Sequence, residues 1–210
     1  MRITHSERTS DETRAKRNKL FGIQTWLALP SDKEEMEPDF EHHKEDALPL
    51  IVDTGMRAHL ILGSAFGETS PVTMQSETFY LDVALEAGTP FPLPDDQEDR
   101  GVYVSEGSVE IAGDVFEEGR MMVFRPGDKM TLKAGPRGAR FMVLGGATMN
   151  EKRYIWWNFV SSSKDRIEQA KEDWNTADWA NGPFKLPPGD DGEFIEIDPA
   201  MNRTKPKDWP

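Results

Sequence analysis

The sequence predicts an all-β protein, an antiparallel sandwich or barrel followed by a single C-terminal helix, and three observations carry that expectation. Between Leu50 and Leu144 short apolar runs alternate with turn residues, among them Gly63, Gly67, Gly88, Gly113-Asp114, Pro126-Gly127-Asp128 and Gly135-Pro136. Frequent glycine and proline between short runs is the pattern of an antiparallel β protein. Tyr154 to Val160 is aromatic or β-branched except for Asn158, which suits a half-buried strand. Helical spacing then sets in after Ser161-Ser162-Ser163, where Ile167, Ala170 and Trp174 recur at i, i+3 and i+7 above a charged face.

In chain order, extended residues 1 to 10 place Ile3, His5 and Glu7 on one face by the period of two. Arg8 to Lys19 is polar without periodicity, so we expect a loop, and its basic stretch Arg14-Ala15-Lys16-Arg17-Asn18-Lys19 is most simply solvated. Phe21, Ile23, Thr25, Leu27 and Leu29 alternate with Gly22, Gln24, Trp26 and Ala28, which predicts a strand ending at Pro30. Ser31 to Asp46 is an acidic connection holding His42-His43, two histidines that would face opposite ways. Seven runs then predict strands: 58–62, 79–85, 102–104, 109–111, 121–124, 130–132 and 141–144. Val102 to Ile111 is expected to be a hairpin with Gly107 at positive φ in its turn. Trp156 and Trp157, as neighbours on a strand, point to opposite faces, and core packing is the simplest fate for them. After the helix, Phe194 to Ile197 is a candidate edge strand, and the charged, proline-bearing stretch from Pro199 to Pro210 is expected to be a mobile tail.

Composition removes several functions. Cysteine is absent, which excludes thiolate catalysis, disulfides and cysteine-ligated metals, and is compatible with a cytoplasmic setting. A net charge of -13 disfavours direct binding to nucleic acid or anionic lipid, and no apolar run is long enough to span a membrane. There is no Gly-x-Ser-x-Gly and no glycine-rich loop before a helix, so neither a serine nucleophile elbow nor a phosphate loop is expected. What remains is His5-x-Glu7. Two such side chains about 7 Å apart on one strand face can converge on one ion, and imidazole with carboxylate suits iron, manganese or zinc.

Ile3-Thr4-His5-Ser6-Glu7 and Leu20-Phe21-Gly22-Ile23-Gln24-Thr25-Trp26-Leu27-Ala28-Leu29-Pro30 resemble consecutive motifs of the pirin family, two-barrel members of the cupin superfamily. Glu37-Pro38, Ser70-Pro71-Val72, Tyr80-Leu81-Asp82-Val83 and Trp156-Trp157-Asn158-Phe159-Val160-Ser161-Ser162-Ser163, with Arg166-Ile167 and Ala170, extend the resemblance to nearly the whole chain. It implies a remnant of an N-terminal barrel at 1–48 with half a metal site, and a cupin-type antiparallel β-barrel (double-stranded β-helix) at 49–160. The Tyr154–Trp174 stretch would close that barrel, with the helix at 161–180 and an extended tail at 181–210. Phe91-Pro92-Leu93-Pro94-Asp95-Asp96 and Asp128-Lys129-Met130 offer no histidine where a cupin places its ligands, so the second barrel is expected to be metal-free.

The resemblance further implies iron-dependent quercetin 2,3-dioxygenase activity, with Fe(II) as cofactor, a flavonol-like small molecule as substrate and Glu7 as the carboxylate that takes its hydroxyl proton. The family's site takes three histidines and one glutamate. His5 and Glu7 match, whereas its His-x-His pair has no counterpart here, so we expect weak, incomplete metal binding and impaired activity. The alternative expectation is a non-enzymatic binding or regulatory module. It would meet a protein partner, or a second copy as a homodimer, through the apolar residues Ile3, Ile23, Trp26 and Leu27 left without strand partners.

Overall fold

The computed structural model describes residues 5, 7–16, 19, 21–189, 192, 194–201 and 204–209. Ile3, Thr4, Ser6, Arg17, Asn18, Leu20 and Pro210, named above, lie outside them. The chain divides into two compact units, residues 40–149 and residues 1–39 with 150–210.

The 40–149 unit is the predicted antiparallel β structure. A 3₁₀ turn at Glu45–Ala47 leads into β1 (Leu50–Asp53), β2 (Met56–Leu62), β3 (Ser64–Ala65), β4 (Glu68–Thr69), β5 (Thr78–Leu85) and β6 (Pro90–Pro92). β7 (Asp99–Ile111), β8 (Asp114–Glu117), β9 (Met121–Phe124) and β10 (Thr131–Gly146) complete it. One eight-stranded sheet runs β1-β2-β5-β10-β7-β8, with β6 paired to β10 and β9 to β7. Alternation decides the faces: Ala58 and Leu60 on β2, Phe79, Leu81 and Val83 on β5, and Phe141 and Val143 on β10 are all buried. Phe91 joins them, its ring meeting that of Phe141 edge-on at 5.4 Å.

The hairpin expected at Val102–Ile111 is instead one continuous strand, β7. Gly107 does have positive φ, +74°, but at an irregularity where the pairing with β10 shifts register between Ala134, opposite Val109, and Ala139, opposite Gly107 itself. A bulge and a turn both need this conformation, and only the partner strand distinguishes them. The actual hairpin turn is Ala112-Gly113, both at positive φ, joining β7 to β8. At the other end of β7, Arg100 is buried. It donates to the carbonyls of Pro94, Asp128 and Arg125 at 3.1, 2.8 and 2.6 Å, gathering two loops around one guanidinium.

The second unit contains α1 (Asp11–Arg14), β11 (Arg153–Trp156), β12 (Phe159–Ser161), α2 (Lys164–Thr176) and β13 (Lys207–Trp209). Three expectations are corrected here. Tyr154–Val160 is not a single strand closing the other unit's barrel; it folds as the hairpin β11–β12, with Trp157 at φ +48° in the two-residue turn, in a separate sheet ordered β12-β11-β13. Phe194–Ile197 forms no strand, and the edge is supplied by Lys207–Trp209 from the stretch expected to be a mobile tail. Phe21–Leu29 forms no strand either, although its alternation suits one, because no described strand pairs with it; Phe21, Ile23, Trp26 and Leu27 are exposed. The loop expected at Arg8–Lys19 carries the single turn α1, whose Ser10 accepts from the Thr13 amide.

The helix is as expected. Ser163 caps α2 by accepting from the Arg166 amide, and Ile167 and Ala170 are buried. The tryptophan pair packs inward: Trp156 is 4% exposed, and Trp157 meets the rings of Trp156, Phe159 and Trp174 edge-on.

Candidate functional site

His5 and Glu7 approach one atom. The Nε2 of Gln24 lies 3.1 Å from His5 Nε2 and 3.1 Å from Glu7 Oε1. The period-two spacing of an extended segment puts His5 and Glu7 on one side, and Gln24 comes to them from the segment after α1. An amide nitrogen has only hydrogens to offer, so Glu7 accepts one and His5 Nε2 accepts the other through its lone pair. In the tautomer that accepts this bond Nδ1 carries the ring proton, and the Nε2 lone pair is the one a ligand would use. A donor thus stands where two electron-pair donors converge. All three side chains are exposed, so the arrangement is open to solvent and solutes.

Sequence reasoning named His5 and Glu7 but missed Gln24. Its only signal was its place in the Gly22-Ile23-Gln24 stretch, and residue type alone did not single it out. Among the described residues, no three histidine, aspartate or glutamate side chains gather as a metal-binding group.

Two of the other histidines, His43 and His59, pair with carboxylates in the 40–149 unit. His43 Nε2 lies 2.9 Å from Glu41, and His59 Nε2 lies 3.3 Å from Glu45. Glu41 also accepts from the Thr73 amide at 3.1 Å. The hydrogen bonds from Thr73 and then His43 hold the Glu41 carboxyl down at about 2. On the sheet face, Arg140 reaches both carboxylate oxygens of Asp82, at 2.9 and 2.5 Å, and this pairing raises the guanidinium pKa further. In the basic stretch, Lys16 pairs with Glu12 at 2.6 Å and Arg14 donates to the Thr9 carbonyl, as ordinary surface charges do. Among the described residues no helix is long and apolar enough to cross a membrane.

Residues 80–180 match the pirin C-terminal cupin domain. A pirin-like protein of Caulobacter vibrioides is 45% identical over 196 residues, covering 93% of this chain and 65% of the relative. A Pseudomonas aeruginosa protein named for quercetin 2,3-dioxygenase activity is 30% identical over 178 residues, covering 84% of this chain and 54% of its own. A crystal structure of quercetin 2,3-dioxygenase from Acinetobacter baumannii superposes with a TM-score of 0.73 at 26% identity, covering 82% of this chain and 56% of that one. The chain therefore spans between half and two-thirds of the length of these relatives.

Proposed function

The chain belongs to the pirin family of cupin proteins, and from that premise we propose that it is a metal-dependent dioxygenase-type protein acting on a flavonol-like substrate, with His5 and Glu7 as its metal ligands. One observation carries the reading: His5 Nε2 and Glu7 Oε1 both point at a single hydrogen-bond donor, each from 3.1 Å. Electron pairs that converge on a partial positive charge suit a cation at the same place. One imidazole and one carboxylate fit part of a nitrogen–oxygen sphere for iron, which we take as the metal, and leave its other positions to water or further donors.

A bound divalent metal supplies Lewis-acid and one-electron chemistry at this position. The protein's own residues do the rest. His5 holds its ligating Nε2 in the unprotonated tautomer, with the proton on Nδ1. Glu7 offers a second oxygen beside the ligating one, and that oxygen takes the proton of an acidic flavonol hydroxyl, leaving an electron-rich oxyanion ready for oxidation. His5 and Glu7 alone hold a metal loosely, so turnover at this centre rises with added metal.

Oxygen uptake with quercetin, measured against added Fe(II), tests the reading. Slow turnover that rises with Fe(II) and vanishes in His5→Ala and Glu7→Gln supports it. Turnover indifferent to both substitutions would sink it.

A second reading, a non-enzymatic module that meets a protein partner or a second copy, is favoured by one observation. Phe21, Ile23, Trp26 and Leu27 are 62, 44, 52 and 46% exposed, an apolar run of the kind that marks interaction surfaces.

A further inference from the structure

We infer that Gln24 is a third ligand of the His5–Glu7 centre, supplying its side-chain carbonyl oxygen when its amide turns over. The inference rests on the metal reading given above.

In the geometry described, the Gln24 amide nitrogen sits 3.1 Å from each of the other two donors. Ligands about 2.1 Å from a first-row divalent ion, held 3.1 Å apart, subtend about 95° at that ion. That is the separation of adjacent ligands in an octahedral sphere, so two edges of a three-ligand face already have the right length. The amide needs no backbone movement to complete it. Rotating the terminal torsion by half a turn exchanges nitrogen and oxygen, which are nearly equal in size, and this torsion is soft.

Charge selects the orientation. With no cation, a carbonyl oxygen facing His5 Nε2 and Glu7 Oε1 would set three electron-rich atoms against one another, and the nitrogen turns inward. With a cation between them, an inward N–H would be repelled and the oxygen turns inward. Gln24 therefore satisfies the same two residues in both states, and it gives the centre an oxygen donor that suits a hard or borderline ion such as Mn²⁺ or Fe²⁺. Its exposure means that replacement removes no core packing.

The test is Mn²⁺ binding to the purified chain, followed by electron paramagnetic resonance of the free ion, for wild type, His5→Ala, Gln24→Leu and Gln24→Glu. Gln24→Leu should weaken binding at least ten-fold, and Gln24→Glu, which keeps an oxygen there and adds charge, should bind at least as tightly as wild type. If Gln24→Leu binds as well as wild type, or better, while His5→Ala loses the ion, Gln24 is only a plug; the inference fails and the metal reading stands. If wild type binds no more Mn²⁺ than His5→Ala, both fail. Should Gln24→Leu not fold, the ¹⁵N resonance of the Gln24 side-chain amide in wild type decides. It should move strongly on saturation with diamagnetic Zn²⁺, and an unmoved signal would overturn the inference.

Discussion

Replacing Glu34 by glutamine should destabilise the 1–39 and 150–210 unit by about 2–3 kcal/mol. Glu34 accepts from the Ser162 amide at 2.9 Å, the Ser162 hydroxyl at 2.8 Å and the Ser161 hydroxyl at 3.3 Å, and its Oε1 lies 3.0 Å from Arg153 Nε. That last contact is ionic: Nε is too poorly aligned to make a hydrogen bond. The side chains of Arg153 and Glu34 are 4% and 18% exposed, so the pair is screened little by water. Breaking a buried pair from one side costs about 3–5 kcal/mol. Glutamine keeps an acceptor for Ser162, and Arg153 keeps Glu151 and the Leu29 and Lys152 carbonyls, which brings the figure down. All six tryptophans lie in this unit, so tryptophan fluorescence during urea unfolding reports on it selectively. With m of roughly 1–3 kcal/mol per molar urea, the midpoint should fall by about 0.7–3 M. Adding Arg153→Met should recover part of the loss, since the buried guanidinium, left with only the half-exposed Glu151 as a charged partner, is then removed. A midpoint shift under about 0.3 M for Glu34→Gln would refute the claim that this carboxylate ties residues 31–36 to the start of α2.

Three other outcomes follow from the structure. Glu41 is held at about 2, below its ordinary 4.5, so its contribution to stability is complete above the higher value and fades as pH falls toward the lower. Thermal melting of the 40–149 unit should therefore weaken between pH 5 and pH 2, and Glu41→Gln should flatten that dependence. Gly107→Ala adds a Cβ that would stand 2.3 Å from the Gly138 carbonyl at φ +74°, so chemical denaturation should show a loss of about 2 kcal/mol or more. Ser163→Ala removes the α2 cap and should cost about 1 kcal/mol, read from the same urea curves as Glu34→Gln.

What could be read in advance was whatever local chemistry decides. The strands of the 40–149 unit were legible because glycine and proline mark their ends, and α2 because its cap and its apolar stripe agree. Residues whose role depends on a distant partner were not. Gly107 is conformationally the same in a turn and in a bulge, and only its register against β10 assigns it to the latter. Phe21–Leu29 has strand chemistry without a described ladder, whereas Lys207–Trp209 is short and charged yet pairs with β11. At the candidate site, the convergence of His5 and Glu7 followed from a period of two. Gln24 joins them from 17 and 19 residues away, through an amide that no spacing rule singles out.

The central claim, that His5 and Glu7 form a weak metal centre, is tested most directly by anaerobic Fe(II) titration calorimetry of the purified chain beside His5→Ala and Glu7→Gln. The account predicts one weak site per chain, lost from each variant and stripped from wild type by desalting. Iron that survives desalting at one per chain, or an isotherm unchanged by both substitutions, would contradict it.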